Sequence, residues 1–213
     1  MYQNKYAFYL YKMQKIGLQS GVGHLSRLIA SHILSSILNL NNRRFAWERR
    51  WVTELRDRSN LTVVEIGVRH GGHAEYMLNS LDIEHLYLID PYDAYDDYLE
   101  AWDNERMSSA EERARSRLED YDQVTFVKEY SSVAVDLIPE QVDLVYIDGN
   151  HTYEYVQEDI TNYHDRIRAG GILAGHDYVW PFFDVIRAVE EFSEKTTSQL
   201  QLDLHGDWWF KLP

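Results

Sequence analysis

The stretch Leu61 to Gly72, LTVVEIGVRHGG, constrains the fold more tightly than any other. An apolar run rich in β-branched residues ends on Glu65, and Gly67, Gly71 and Gly72 follow at once. A continuous apolar run closed by glycines reads as a strand buried on both faces. The glycines let the backbone turn sharply and come close to a ligand. Ala74, Met77, Leu78 and Leu81 then recur at helical spacing. Strand, Gly-rich turn and helix form the nucleotide-cradling unit of open α/β sheets, where ligands sit beyond the carboxyl ends of the strands.

The rest of the chain alternates in the same way. Strand signals at Glu84–Asp90, Gln123–Lys128, Val142–Asp148 and Gly170–Gly175 are separated by helical patterns. This predicts a doubly wound, Rossmann-like α/β sheet of mostly parallel strands. One helix is expected over Val156, Ile160, Tyr163 and Ile167, and another over Phe183, Ile186, Val189 and Phe192. A short helix is expected to start at Ser131 and Ser132, a common cap residue type. Gln199–Leu204 and Trp208–Leu212 flank His205-Gly206-Asp207, the signal of a C-terminal antiparallel hairpin.

Two regions lie outside that alternation. Residues 1–58 read as an N-terminal helical extension, with Leu28, Ile29, Ile33, Ile37 and Leu38 near helical spacing. Its tyrosines pack on the sheet, on a second subunit of a homo-oligomer, or over the acceptor side as a lid. Residues 59–213 read as the domain proper, with an insertion over 92–122. In the insertion, Ser108 and Ser109 each precede a Glu by three residues, a capping-box pattern that starts a helix near Ala110.

Charge and composition exclude several functions. The formal net charge of −14 is unevenly placed. Residues 1–58 hold ten Lys/Arg and three Asp/Glu, a net +7, so the remainder carries −21. A body that acidic repels phosphate backbones, which argues against nucleic acid as substrate. With no cysteine, disulfides and thiolate zinc sites are out. Leu28 to Leu40 is too short and too polar to span a bilayer, and Met1 to Ser20 lacks the ordering of a signal peptide. A cytoplasmic protein with no membrane span is the expectation.

In a doubly wound sheet the first, fourth and fifth strands lie side by side, so Glu65, Asp148, His151, His176 and Asp177 converge on one rim. Carboxylates so placed repel one another unless protons or a cation intervene. Asp148, His176 and Asp177 offer mixed oxygen and nitrogen ligands suited to a hard or borderline divalent ion. Asp90, at the end of the second strand, stands where a carboxylate accepts hydrogen bonds from ribose hydroxyls. The spacing E-x-G-x-x-x-G departs from the G-x-G-x-x-G of dinucleotide folds.

That spacing resembles the first motif of class I S-adenosylmethionine-dependent methyltransferases. The later pattern I-D-G-N-H-x-Y-x-x-V-x-x-D with G-G-I-L-A-G-H-D resembles one branch of them, the metal-dependent small-molecule O-methyltransferases related to macrolide-sugar methyltransferases and cephalosporin-hydroxylase-like proteins. The resemblance covers roughly residues 60–213. It implies cofactor contacts at Glu65, Gly67, Val68, Arg69, Gly71, Asp90, Ser131 and Asp148. It also implies a metal held by Asp148, His176 and Asp177, with His151 as general base beside it. Many relatives carry Glu where this chain has His176, which shifts the expected metal from Mg²⁺ toward Mn²⁺. The expected activity is methylation of a hydroxyl on a sugar or polyol-like small molecule. The alternatives are a metal-dependent hydrolase built on the Asp/His rim and a non-catalytic binding protein of the same fold.

Overall fold

A computed structural model describes residues 49–94, 103–203 and 206–213. The helical pattern over Leu28–Leu38, the N-terminal tyrosines and His205 lie outside the described residues. Among the described residues the chain begins with α1 (Arg50–Leu55), then β1 (Leu61–Ile66), α2 (Gly72–Ser80), β2 (Ile83–Ile89) and α3 (Asn104–Arg117). It continues through β3 (Val124–Val127), α4 (Ser131–Ala134) and a 3₁₀ turn (Val135–Leu137) to β4 (Val142–Ile147). Then come α5 (Tyr153–His164), β5 (Ile167–Gly175), α6 (Phe183–Lys195), β6 (Gln201–Leu202) and β7 (Trp208–Lys211).

The seven strands form one sheet in the order β3-β2-β1-β4-β5-β7-β6. Every pairing from β3 to β5 is parallel, and β7 runs antiparallel to both β5 and β6. All six residues of β4 are buried, as a strand covered by helices on both faces must be. Trp51, Leu55, Met77 and Tyr146 fill one side of the sheet. Val64, Val145, Ile160, Ile186 and Phe210 fill the other.

Two local expectations are corrected. The helix in the insertion starts at Asn104, ahead of Ser108 and Ser109, because the Asp103 side chain accepts from Arg106 N at 2.9 Å and caps it. Ile167 does not continue α5. It opens β5 and pairs with Val142, after the chain turns at Asp165.

The order of strands puts the ends of β1 and β4 against each other. Asp148 N donates to Ile66 O at 2.7 Å, and Gly67 N donates to Ile89 O at 2.9 Å. Gly67 has φ +86, and a Cβ there would stand 2.1 Å from the Asp148 carbonyl oxygen. Only glycine fits this approach. Gly67→Ala should therefore cost well over the 1–2 kcal/mol, roughly, of left-handed backbone alone, measured by urea unfolding. Gly170→Ala is the control: its φ is +75, but an added Cβ meets no atom nearer than Arg58 Nη2 at 3.6 Å. Equal losses for the two variants would contradict this account of the β1–β4 crossing.

Candidate active site

The carboxyl ends of β1, β2, β4 and β5 open on one cavity of about 390 Å³. Every residue named from the sequence as catalytic or metal-binding lines it: Asp148, His151, His176 and Asp177. So do Glu65, Gly67, Val68, Arg69, Asp90 and Ser131. Gly71 does not. It caps α2 with φ +71, and its amide donates to Val68 O at 2.9 Å, so it closes the turn beneath the cavity.

Asp90 is buried, and its carboxylate is already engaged with the glycine turn. Its Oδ2 accepts from the amides of Val68 (2.9 Å) and Arg69 (3.0 Å), and its Oδ1 accepts from Tyr92 N at 2.8 Å. Arg69 sits at φ +51, a conformation that needs such fixing. An ionised carboxylate has about four acceptor positions, so three backbone donors leave it capacity for a ligand hydroxyl.

Glu65 is 1% exposed. Its Oε1 lies 2.8 Å from His73 Nδ1, in the first turn of α2. Burial raises the Glu65 carboxyl well above its usual range, and the Asp148 charge adds to this. Burial, aided by Arg49, pulls His73 down to about 3. Both shifts favour the uncharged forms. Glu65 Oε2 and His73 Nε2 are buried without a hydrogen-bond partner, as are Asn150 Nδ2 and Asp159 Oδ1. All four side chains line the cavity. Buried polar atoms left open around one cavity are what a polar ligand would satisfy.

At the rim, His151 Nε2 lies 2.7 Å from Asp177 Oδ2 and 3.7 Å from Asp148 Oδ1. His176 Nδ1 lies 3.0 Å from Asp177 Oδ1 and 4.0 Å from Asp148 Oδ1. Asp177 holds its place in a left-handed turn at φ +61. One ligand atom each from Asp148, His151 and Asp177 falls within a 4.8 Å span. The tightest trio thus contains His151 where the sequence pointed to His176, with His176 beside the same two acids. Burial lowers both imidazoles, and the surrounding carboxylates more than offset it, so both stand at about 9. Burial raises Asp177, and the two imidazoles reverse that and hold it below the usual carboxylate range.

Sequence reasoning missed four of the contributors. His73 follows the glycine motif directly, so its place in the first turn of the next helix was a usable signal. Asp159 is 2% exposed, is pushed up to about 7 mainly by burial, and is hydrogen-bonded by Ser131. Asn150, whose Oδ1 accepts from Thr152 N at 3.0 Å, stands with Asp159 in the I-D-G-N-H-x-Y-x-x-V-x-x-D pattern but was given no role there, and Asp207 behind His176 was read only as part of a hairpin turn.

Residues 64–178, more than half of the chain, match the model of a methyltransferase-domain family. The chain belongs to this family. An uncharacterized protein of Acanthamoeba polyphaga mimivirus is 27% identical over 131 residues, which is 57% of this chain and 53% of that protein. The chain therefore spans about half the length of that relative. Among solved structures, the O-methyltransferase NovP is 20% identical with a TM-score of 0.61, covering 76% of each chain. The SAH-bound Podospora anserina methyltransferase PaMTH1 is 13% identical with a TM-score of 0.58, covering 87% of each chain. An rRNA methylase from Streptococcus thermophilus is 16% identical with a TM-score of 0.54, over 76% of this chain and 93% of that one. At these identities the structures show the shared fold. The chain thus carries a methyltransferase domain over residues 64–178. Among the described residues no helix is long and apolar enough to cross a membrane.

The raised imidazoles predict a pH dependence for protein kept in chelator. Free histidine titrates near 6.5, so a ring held at about 9 stabilises the fold fully below about 6.5. That stabilisation is lost as pH rises through the folded value. The melting temperature should fall from pH 6.5 to 9.5, and His151→Gln should flatten part of the fall. Parallel curves for the two proteins would remove His151 from this account.

Proposed function

We propose that this methyltransferase acts on a hydroxyl of a sugar or polyol-like small molecule, with a divalent metal at the Asp148–Asp177 rim and His151 as general base. The observation that carries this reading is the convergence of two carboxylates and two imidazoles at the end of the cofactor cavity. Methylation of a hydroxyl needs a base, and an aliphatic hydroxyl is poorly acidic without a nearby cation.

The cavity suits S-adenosylmethionine. It is walled by the glycine turn at the point where Gly67 meets β4, it is edged by acids, and its buried polar atoms lack partners. When bound, the cofactor supplies a methyl group already activated on a sulfonium. Glu65, Gly67, Val68, Arg69, Asp90, Ser131 and Asp148 would hold it. Asp90 keeps the turn in shape and presents its remaining acceptor capacity to the ribose. Glu65 offers a carboxyl to the cationic side.

The rim suits a divalent ion by its donor set, oxygen from Asp148 and Asp177 and nitrogen from imidazole. Such an ion would supply Lewis acidity to an acceptor hydroxyl. Mg²⁺ and Mn²⁺ both suit it, and imidazole favours Mn²⁺. His176 Nε2 faces the Asp207 carboxylate at 3.9 Å. The His151 ring packs on Phe182, centroids 4.7 Å apart. A ligating imidazole usually has a carboxylate behind it, which supports His176 as the nitrogen ligand. His151 would take the acceptor proton, because a cation on Asp148 and Asp177 would offset the charges that hold its ring protonated. A small polar acceptor agrees with the acidic body, which would repel a phosphate backbone.

The test is a panel of glycosides and cyclitols incubated with S-adenosylmethionine, with methylated product read by mass spectrometry. Product should form with Mg²⁺ or Mn²⁺ and disappear on exhaustive chelation. Asp148→Ala or Asp177→Ala should abolish the metal-dependent signal. His151→Ala should slow methyl transfer by about 10²–10⁴, the usual worth of a positioned base, while leaving S-adenosylhomocysteine affinity intact. Undiminished activity in chelator would remove the metal from the reading. Loss of metal binding in His151→Ala would move that residue into the ligand set.

A further inference from the structure

Asp207 lies in the turn before β7 and is fully buried. Its Oδ2 accepts from Trp51 Nε1 at 2.9 Å. Its Oδ1 accepts from Tyr146 Oη at 3.0 Å and from Arg49 Nη1 at 2.5 Å. The acid is thus pinned by the segment ahead of β1 and by the middle of the sheet. A buried carboxylate needs this much compensation to persist. None of these partners explains what the acid does toward the cavity.

On that side stands His176. Its Nε2 is 3.9 Å from Asp207 Oδ1, and its Nδ1 faces Asp177 and Asp148 at the rim. Its backbone carbonyl accepts from Trp208 Nε1 at 3.1 Å, so the consecutive residues Asp207 and Trp208 address its ring and its main chain. Resting on the metal reading above, we propose that Asp207 is the positioning residue for His176 as a metal ligand. Arg49 and Trp51, by holding Asp207, make the segment ahead of β1 part of that metal site.

The physical reason is the tautomer. An imidazole that ligates through one nitrogen carries its proton on the other, and that N–H needs an acceptor. Asp207 lies behind Nε2, which leaves Nδ1 for the rim. At 3.9 Å the pair is coupled by charge rather than by a formed hydrogen bond. The acid therefore favours one tautomer and one ring face without fixing the ring outright. The motif residues would hold the metal, and three residues outside the family match, Arg49, Trp51 and Asp207, would set how well its nitrogen ligand is aimed.

The experiment measures Mn²⁺ affinity of the full chain by electron paramagnetic resonance, with S-adenosylhomocysteine affinity measured in parallel. Asp207→Asn keeps the shape and removes the charge. It should weaken Mn²⁺ about 10–100-fold, the usual effect of losing such a partner, and change S-adenosylhomocysteine affinity less than twofold. In a His176→Ala background Asp207→Asn should cost nothing further, which a merely structural role would not produce. If Asp207→Asn does not fold, Trp51→Phe serves: it keeps the carboxylate, loosens its hold, and should weaken Mn²⁺ severalfold only when His176 is present. Wild-type affinity in Asp207→Asn, or an unchanged loss without His176, overturns the positioning role and leaves the metal reading standing. A wild-type chain that takes up no Mn²⁺ at millimolar concentration overturns both.

Discussion

The close passage of the β1–α2 turn over the end of β4 is the constraint on which the rest depends. Gly67 lies so near the Asp148 carbonyl that no side chain fits between them. The amide of Asp148 in turn bonds the end of β1 at Ile66. This one contact fixes where the cofactor turn sits relative to the strand that carries the rim. Glu65 and Asp148 then share a low-dielectric space, which is why, beyond burial itself, the Asp148 charge helps to raise the Glu65 carboxyl. Without that closeness the chain would have a glycine turn and an acidic rim, but no single cavity.

Charge in the cavity is graded. At its β1 side, Glu65 and His73 are both pushed toward neutrality by burial. At its β4–β5 side, His151 and His176 are pushed toward protonation by Asp148 and Asp177. The first region presents polar atoms at little electrostatic cost. The second holds opposite charges that compensate one another and that a cation could replace. The proposed methyl donor, with its positive sulfonium, and the proposed hydroxyl acceptor, which must lose a proton, would make these two demands. The fold meets them at adjacent strand ends, because parallel strands deliver all their carboxyl termini to one edge.

Much of this was legible in the sequence, for identifiable reasons. The β1–β4–β5 neighbourhood follows from doubly wound topology, so the convergence of Asp148, His151, His176 and Asp177 needed only the strand ends to be read correctly. What was not legible depends on residues far apart in the chain meeting in space. Asp90 was placed at the ribose from its strand-end position. That its carboxylate already ties down Val68 and Arg69 depends on how the turn folds over it. Asp103 displaced Ser108 and Ser109 as a helix cap because a cap is decided by where the backbone enters the helix, and two serines inside a helix face the same spacing to Glu without that entry. Ile167 keeps helical spacing with Tyr163 yet pairs with Val142, since the edge of β4 offers it a ladder that α5 does not. Asp207 was legible only as part of a hairpin turn, and the antiparallel return of β7 beside β5 is what brings it behind His176.

The central claim is that the cavity at these strand ends binds the adenosyl cofactor, and titration calorimetry with S-adenosylhomocysteine tests it most directly. The account predicts a saturable heat with one site per chain, weakened by Asp90→Asn by about 1–3 kcal/mol, the cost of leaving a buried polar partner unsatisfied. No heat at millimolar ligand from the folded protein, or binding indifferent to Asp90, would contradict it.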